Sequence, residues 1–209
     1  MKDLILIGKQ GSGKGTQGKI LTQKIPFTIF ETGSELRKIA AEDSELGKMV
    51  KNITDRGDLV PNELVMKIVE NFVQKADKDT PIIFDGIPRS QEQRISLEQS
   101  LENVGRSFYA LEIKLSEEEA MKRLLSRANC NDCGENFGGN ICPKCGSKNL
   151  SRRSDDNEES IRKRLENFET FTKPLLVNWE EREKLLSVDG EQASKDVAKD
   201  ILEKIQQLG

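Results

Sequence analysis

The stretch that most constrains the fold of this chain is Gly8–Thr16, which reads Gly-Lys-Gln-Gly-Ser-Gly-Lys-Gly-Thr and follows the apolar run Leu4–Ile7. A strand, a glycine-rich loop and a helix in this order are typical of a phosphate-binding loop. Glycine lets backbone N–H groups turn inward, and the helix directs its positive dipole end at the same anion. Lys14 adds a mobile positive charge. We therefore predict a nucleotide-phosphate site in this phosphate loop, although Gly15 precedes Thr16 where the general motif has serine or threonine directly after the lysine.

Composition and charge narrow the class of protein. The 209 residues suffice for one sizeable core with small appendages. The formal net charge of −3 provides no basic field, so we expect neither nucleic acid nor a membrane as a partner. No apolar run approaches transmembrane length and residues 1–3 leave no room for a signal peptide, so we expect a cytoplasmic protein. The chain has no histidine, which excludes any mechanism that uses an imidazole.

Short apolar runs alternate with helical patterns along the chain. This alternation predicts a three-layer α/β/α fold around a five-stranded parallel sheet. The predicted strands are Leu4–Ile7, Phe27–Phe30, Ile82–Phe84, Tyr109–Leu115 and Leu185–Val188. The predicted helices cover residues 17–24, 44–57, 61–75, 91–104, 116–126, 156–168 and 193–207. Ser90 and Ser116 are predicted to cap two of them, the second in a capping box with Glu119.

Two segments interrupt this alternation. Residues 31–60, the helical insert, follow the second strand, and residues 126–158, the cysteine lobe, combine all four cysteines with turn-forming residues. We expect both to be small lobes on one core, which is built from residues 1–30, 61–125 and 159–209.

The four cysteines form two Cys-x-x-Cys pairs: Cys130 with Cys133, and Cys142 with Cys145. In a reducing compartment this spacing indicates a metal site rather than disulfides. Four thiolates complete a tetrahedral structural zinc site, and in so small a lobe the metal largely decides whether the lobe folds. Gly134 and Gly146 follow the two pairs and permit tight turns. Free thiols and iron–sulfur ligation are the alternatives, and a scarcity of basic residues argues against nucleic-acid binding.

The third predicted strand is followed by Asp85-Gly86-Ile87-Pro88-Arg89. A carboxylate at the carboxyl end of a strand, beside a phosphate loop, is where Mg²⁺ ligation is expected, so Asp85 is a candidate magnesium residue. Arg89 lies at the sheet edge where ligands bind in such folds, and it is a candidate phosphate ligand.

Further arginines recur near the predicted hinges: Arg37, Arg123, Arg127, Arg152, Arg153, Arg162 and Arg164. Asp155 and Asp156 lie between two of them and are expected to hold the guanidinium groups of Arg153 and Arg164. Together with the phosphate loop, the arginines predict a clamp for phosphoryl transfer, which needs positioning and charge neutralisation more than a protein nucleophile.

These motifs resemble those of the adenylate kinase family. The matching segments keep their order over nearly the whole chain: Gly8–Gln17, Thr32–Arg37, Asp85–Arg89 with Gln93, and Arg153–Asp156 with Arg164. The helical insert resembles the family's AMP-binding (NMP-binding) lobe, and the cysteine lobe resembles the small zinc-ribbon-like lid of its zinc-bearing bacterial members. The resemblance implies a monomer that transfers the terminal phosphoryl group of Mg-ATP reversibly to AMP and gives two ADP.

The resemblance also implies roles for single residues. It implies ATP binding by Gly11, Ser12, Gly13, Lys14, Gly15, Thr16, Arg123 and Arg127. It implies AMP binding by Thr32, Gly33, Arg37, Leu59, Val60, Gly86, Arg89, Gln93, Arg153 and Arg164. Catalytic roles are implied for Lys14, Asp85, Arg89, Arg127, Arg153 and Arg164. Thr16 and Asp85 are expected to hold Mg²⁺, the carboxylate through water.

Some residues depart from the usual family pattern. Lys9-Gln10 replaces a small residue and proline, and is expected to add a charge near the phosphates. Ser34 stands in place of aspartate and Ile87 in place of phenylalanine, and the spacer between the cysteine pairs, residues 134–141, is short. Phe137 is the one aromatic residue in the cysteine lobe available to contact a donor base. A UMP, CMP or GMP kinase of the same fold and a zinc-ribbon, nucleotide-regulated binding module remain as alternative functions.

Overall fold

A computed structural model describes residues 2–208 of the chain. Its strands are β1 (Asp3–Ile7), β2 (Thr28–Glu31), β3 (Ile82–Asp85), β4 (Phe108–Lys114), β5 (Arg127–Cys130), β6 (Asn136–Gly138), β7 (Leu150–Ser151) and β8 (Leu185–Asp189). Strands β1–β4 and β8 form a parallel five-stranded sheet in the order β2-β3-β1-β4-β8. The predicted sheet is thereby confirmed, and every end of these five strands lies within one residue of its predicted position.

The helices are α1 (Lys14–Thr22), α2 (Thr32–Ala40), α3 (Glu45–Asp55), α4 (Asn62–Lys75), α5 (Gln91–Asn103), α6 (Glu117–Ser126), α7 (Glu158–Asn167), α8 (Pro174–Glu181) and α9 (Ser194–Gln206). A π-helical segment, Phe168–Thr172, joins α7 to α8 and is referred to below as the π-turn. No element was predicted for the segments that form α8 and β5–β7. The π-turn begins at Phe168, the last residue of the predicted helix 156–168. No helix in residues 2–208 combines the length and the apolar character needed to cross a membrane.

Alternate residues of β1 enter two different hydrophobic clusters. Ile5 and Ile7 belong to a cluster that includes side chains of α4, α5 and α8. Leu4 and Leu6 belong to a second cluster with side chains of α1 and α9. All four are at most 2% exposed, and burial of apolar surface on both faces is the main term that stabilises such a sheet. The predicted three-layer α/β/α arrangement is confirmed.

Two local predictions need correction. Helix α1 begins at Lys14 rather than Gln17, because Gly13 adopts a left-handed conformation (φ 94°) and turns the phosphate loop directly into the helix. The capping box at α6 is only half formed. Ser116 Oγ accepts a hydrogen bond from the Glu119 N–H at 3.3 Å, but the Ser116 N–H donates to the Glu191 carboxylate at 3.1 Å rather than to Glu119.

The two lobes differ in construction. Helices α2 and α3 lie within the helical insert and pack into the same hydrophobic cluster as β2 and β3, through Leu36 and Val50. The cysteine lobe contains the antiparallel sheet β6-β5-β7. Leu115, Leu124 and Ile161 connect the core to the base of the cysteine lobe through the packing of α6 on α7.

Candidate active site

A cavity of about 1250 Å³ lies at the carboxyl ends of the central strands. Its lining includes Gly8 after β1, Glu31 at the end of β2, Asp85 at the end of β3 and Gly190 after β8. Open parallel sheets bind ligands at this edge. The helical insert and the cysteine lobe supply the remaining walls, so the cavity is enclosed by three parts of the chain.

The phosphate loop forms the floor of the cavity. Gly8 has a positive φ of 152°, and a Cβ at this position would lie 2.5 Å from the Ile113 carbonyl oxygen, so the loop can cross β4 only with glycine here. The Lys14 ammonium donates to the carbonyl oxygens of Gly8 at 2.7 Å and Lys9 at 3.0 Å. Burial lowers the pKa of Lys14 to about 8, while the Asp85 carboxylate acts in the opposite direction. A phosphate bound beside Lys14 would therefore stabilise its ammonium form.

Lys9 is directed away from the cavity, whereas Gly8 and Gln10 on either side line it. Its ammonium lies 3.0 Å from a Glu169 carboxylate oxygen. The expectation that Lys9 adds a charge near the phosphates is therefore wrong, because the charge is already paired elsewhere. The Gln10 side-chain oxygen is buried and has no hydrogen-bond partner within residues 2–208.

Asp85 lies directly beside the phosphate loop. A Cβ built on Gly15 would be 3.4 Å from the Asp85 Oδ2 atom. Burial raises the pKa of Asp85, Lys14 lowers it, and Glu31 on the neighbouring strand raises it further. Carboxylate oxygens in such a position are the ligands that Mg²⁺ prefers in proteins.

Arg89 is held in place by three contacts. Its Nε donates to the Gly86 carbonyl at 3.0 Å, and its backbone N–H donates to the Gln93 side-chain oxygen at 2.8 Å. Its carbonyl accepts from the Thr172 hydroxyl at 3.0 Å. Burial lowers the pKa of the Arg89 guanidinium. Gln93 itself is buried outside the lining of the cavity, so in this structure it contacts the site through Arg89.

Two carboxylates at the base of the cysteine lobe form ion pairs with arginines that precede and follow this lobe in the chain. Asp156 accepts from Arg127 Nε at 2.7 Å and from Arg164 Nη2 at 3.0 Å. Asp155 accepts from Arg164 Nη1 at 2.7 Å. The carboxylates thus hold Arg127 and Arg164 rather than the predicted pair. Arg153 makes no side-chain hydrogen bond or ion pair with any described residue, and burial together with its arginine neighbours lowers its pKa to about 10.

The helical insert contributes Gly33 and Arg37 to the cavity. The Arg37 guanidinium lies 3.1 Å from a Glu31 carboxylate oxygen, and both side chains are about half exposed. The other three candidates in this region lie outside the lining: Thr32, Leu59 and Val60. The Thr32 hydroxyl is buried, with no hydrogen-bond partner in the described part of the chain.

Arg123 lies at the opposite end of the cavity, near the last strand. Its Nη1 donates to the Gly190 carbonyl at 3.0 Å, and a Cβ on Gly190 would lie 2.6 Å from the Lys114 carbonyl oxygen. Phe137 and Gln192 also line the cavity. Gly190 and Gln192 were missed by sequence reasoning, although an Asp-Gly pair directly after a predicted core strand is a signal of a tight turn at the ligand-binding edge.

The four cysteines of the cysteine lobe converge on one point. Their Sγ atoms all lie within 4.8 Å of one another, and the closest separations are 3.5 Å, so the cysteines are not disulfide-bonded. A tetrahedral ZnS₄ site with bonds of about 2.3 Å requires Sγ separations of about 3.8 Å. Gly134 and Gly146 adopt φ values of 69° and 73°, and their N–H groups donate at 2.9 Å to the carbonyls of the first cysteine in each pair. The residues present fit zinc.

Known adenylate kinases resemble this chain over nearly its whole length. A family model described as adenylate kinase matches residues 6–184. An adenylate kinase of Archaeoglobus fulgidus is 36% identical, with 97% of this chain and 99% of the relative covered. Adenylate kinases of Nitrosococcus oceani and Staphylococcus aureus strain Mu50 are 37% and 34% identical, covering 94% and 99% of this chain and 95% and 100% of the relatives.

Proposed function

The chain belongs to the adenylate kinase family, and from that premise we propose that it transfers the terminal phosphoryl group of Mg-ATP reversibly to AMP, giving two ADP. The family assignment makes it a nucleoside monophosphate kinase.

The observation that carries this proposal is that one cavity contains two separate groups of cations. The first group is Lys14 of the phosphate loop with Arg123 and Arg127 at the junction of α6 and β5, and the second is Arg37 on α2 with Arg89 after β3; all five line the cavity. A nucleotide-regulated binding module has no use for a second phosphate site. Two nucleotides joined through a phosphoryl group in transit need both sites in line.

The two groups suggest separate tasks for the arginines. We assign the donor phosphates to the loop N–H groups of Gly11–Thr16 with Lys14 and Arg127, and the acceptor phosphate to Arg37 and Arg89. Arg153 and Arg164 also line the cavity, and we assign them to neutralising charge on the phosphoryl group as it moves. No histidine or covalent nucleophile is required, since positioning and charge neutralisation supply the rate.

Magnesium would be held by the Thr16 hydroxyl and, through water, by the Asp85 carboxylate. The ion supplies charge neutralisation between the donor phosphates when it is bound. The buried Asp85 is close enough to the phosphate loop for this role, because its Oδ2 atom lies 3.4 Å from the position that a Cβ on Gly15 would occupy.

Zinc would be bound by the thiolates of Cys130, Cys133, Cys142 and Cys145 in a purely structural role. We propose that the cysteine lobe acts as a lid over the donor nucleotide and excludes water, which otherwise competes as the phosphoryl acceptor. The helical insert would be the acceptor lobe, on a core of residues 1–30, 61–125 and 159–209. We further propose a cytoplasmic monomer without nucleic-acid or membrane partners.

Adenine selectivity at the acceptor is supported by Thr32 and Gln93 only indirectly, because neither lines the cavity in this structure. Phe137 and Arg123 both line the cavity, and we assign the contact with the donor base to them. Base selection by a few hydrogen bonds is easily altered, so the acceptor base is the part of the proposal that most needs a direct test.

The test is diphosphate formation from Mg-ATP and each of AMP, GMP, CMP and UMP, measured separately by chromatography. We expect rapid ADP formation with AMP and much slower turnover with the other three. Equal turnover with all four acceptors would contradict the adenylate assignment. Binding of ATP without turnover of any acceptor would support the nucleotide-regulated binding module instead.

A further inference from the structure

Lys9 is a residue of the phosphate loop to which the proposed function gives no task. Its side chain is only 15% exposed, although it carries a charge and turns away from the nucleotide cavity. Removing an ammonium group from water is costly unless its partners compensate. The partners of Lys9 are therefore informative about why a lysine occupies this position.

The Lys9 ammonium has two partners that come from distant parts of the chain. It lies 3.0 Å from Glu169 Oε1 and donates to the Leu115 carbonyl at 3.2 Å. Glu169 belongs to the π-turn and is also paired with Lys173 at 2.6 Å. The side chain of Lys9 thus joins the phosphate loop to the end of β4 and to the π-turn.

The backbone of Lys9 supports the catalytic end of the loop. Its carbonyl accepts from the Ser12 N–H at 3.1 Å and from the Lys14 ammonium at 3.0 Å. A displacement of Lys9 would therefore move the carbonyl that orients Lys14. Lys9 therefore contacts Glu169 through its side chain and Lys14 through its backbone carbonyl.

The π-turn also contacts the acceptor side of the cavity. Thr172 donates to the Arg89 carbonyl at 3.0 Å, and the π-turn directly follows helix α7, which carries Arg164. π-Helical segments are rare and occur frequently at functional sites. Here the π-turn places Glu169 against the donor loop and Thr172 against the acceptor turn.

We propose that Lys9 and Glu169 are positioning residues for phosphoryl transfer, which fix the phosphate loop and Lys14 in register with the arginines of the acceptor side. This inference rests on the proposed function. The pair touches no substrate and acts through the Lys9 carbonyl on Lys14. Its loss should therefore affect the use of ATP more than the binding of AMP, since the Thr172 contact with Arg89 remains.

The chain provides variants that separate positioning from folding. Lys9→Met leaves Glu169 paired with Lys173, so it strands no charge. Glu169→Gln leaves the Lys9 ammonium its hydrogen bond to Leu115 but no counter-charge, so the melting temperature of this variant is measured as well. Lys173→Met is the matched control, because it removes the other and more exposed partner of the same carboxylate. Lys9→Arg is the conservative variant that keeps the charge.

The experiment measures kcat and the KM values for ATP and AMP in each variant and in the double variant, with wild-type ADP formation as the reference. We expect Lys9→Met and Glu169→Gln each to lower kcat/KM for ATP by about tenfold, as misplaced catalytic groups do. The KM for AMP should not change, the double variant should be no worse than either single variant, and Lys9→Arg should recover most of the activity. Lys173→Met should match the wild type.

Other results would overturn the inference. Additive losses in the double variant would mean that the two residues act independently. A lower melting temperature with equal effects on ATP and AMP, or with none, would mean a structural role only. A wild-type protein that forms no ADP would instead contradict the proposed function. The pair could then still be tested by titrating wild type and Lys9→Met with Mg-ATP, and an unchanged affinity for Mg-ATP would refute the inference.

Discussion

The phosphate loop extends from β1, whose five residues are all buried, whereas the cysteine lobe rests on three strands of which the longest has four residues. Apolar burial on both faces of the sheet holds the loop in place. Ala128 is the one buried hydrophobic side chain of the described cysteine lobe apart from two of the cysteines, Cys130 and Cys142. The lobe therefore has almost no apolar core of its own.

The difference separates two ways of building one cavity. The floor of the cavity, the phosphate loop, rests on an extended hydrophobic core. The roof, which is the cysteine lobe, has instead four cysteines that can hold it together by sharing a metal ion, and they lose their protons when they bind it. Between them, Asp156 joins Arg127 on β5 to Arg164 on α7. The ion pairs at this junction link the cysteine lobe to the core without a large packed interface, which suits the proposed role of this lobe as a lid.

The largest expected effect concerns Arg164, and it tests whether phosphoryl transfer needs an arginine at the junction of the core and the cysteine lobe. Arg164→Met should lower kcat on the order of 10³-fold, as the loss of an arginine that stabilises a transferring phosphoryl group does. Arg164 lies in α7 and is 7% exposed. The measurement is steady-state ADP formation from saturating ATP and AMP, with circular dichroism to verify the fold.

Arg162→Met is the matched control for this prediction. Arg162 lies in the same helix, but it is exposed, pairs with Glu158 at 2.7 Å and lies outside the cavity lining. Its loss should leave kcat unchanged, because an exposed helix ion pair contributes little. Similar losses in both variants would show that α7 as a whole, rather than the charge of Arg164, is what turnover requires.

Features that depend on local sequence pattern could be predicted from the sequence, whereas contacts between distant residues could not. The five strands of the parallel sheet depend on local pattern and were predicted to within one residue, and the glycines of the phosphate loop and of the two cysteine turns were recognised in the same way. The pairing of Asp156 with Arg127 could not be predicted, because the partners are 29 residues apart and their contact depends on how β5 leaves α6. The direction of the Lys9 side chain likewise depends on Glu169, which reaches the loop only through the π-turn.

The second prediction concerns the roof. Chelation of zinc, or Cys142→Ser, should lower kcat on the order of 10²-fold, because the arginines near the lobe lose their position. The single tryptophan of the chain, Trp179, is fully buried in the core and donates to Glu98 at 2.8 Å. Its fluorescence should stay unchanged while activity falls, so one sample reports both regions.

Metal analysis and an exposed lysine complete this test. We expect one zinc per chain in the active protein and none after chelation, and Lys148→Met, a change in the same lobe outside the cluster, should retain both metal and activity. A shift of tryptophan fluorescence on chelation would show that the core also depends on the metal. Full activity without metal would contradict a zinc-dependent roof.

The smallest effect is a pH dependence that belongs to the floor alone. Lys14 has a pKa of about 8 in the folded protein. If ATP binds the ammonium form, the apparent dissociation constant should rise by about fivefold between pH 8 and pH 9, because the protonated fraction of the lysine falls from about a half to about a tenth. Calorimetric titration with Mg-ATP over this range measures it, and Lys14→Arg, which stays charged, should give a flatter profile.

Loss of the fold cannot produce the same profile. The pKa of Lys14 is lowered on folding from 10.5 to about 8, so between these pH values the unfolded chain binds more protons than the folded chain. By linkage, this lysine makes the free protein more stable as the pH rises through that window. Weaker ATP binding together with an unchanged or higher melting temperature at pH 9 therefore identifies Lys14 as the titrating group, whereas an affinity that does not change up to pH 10 would show that the loop amides rather than the ammonium hold the donor phosphates.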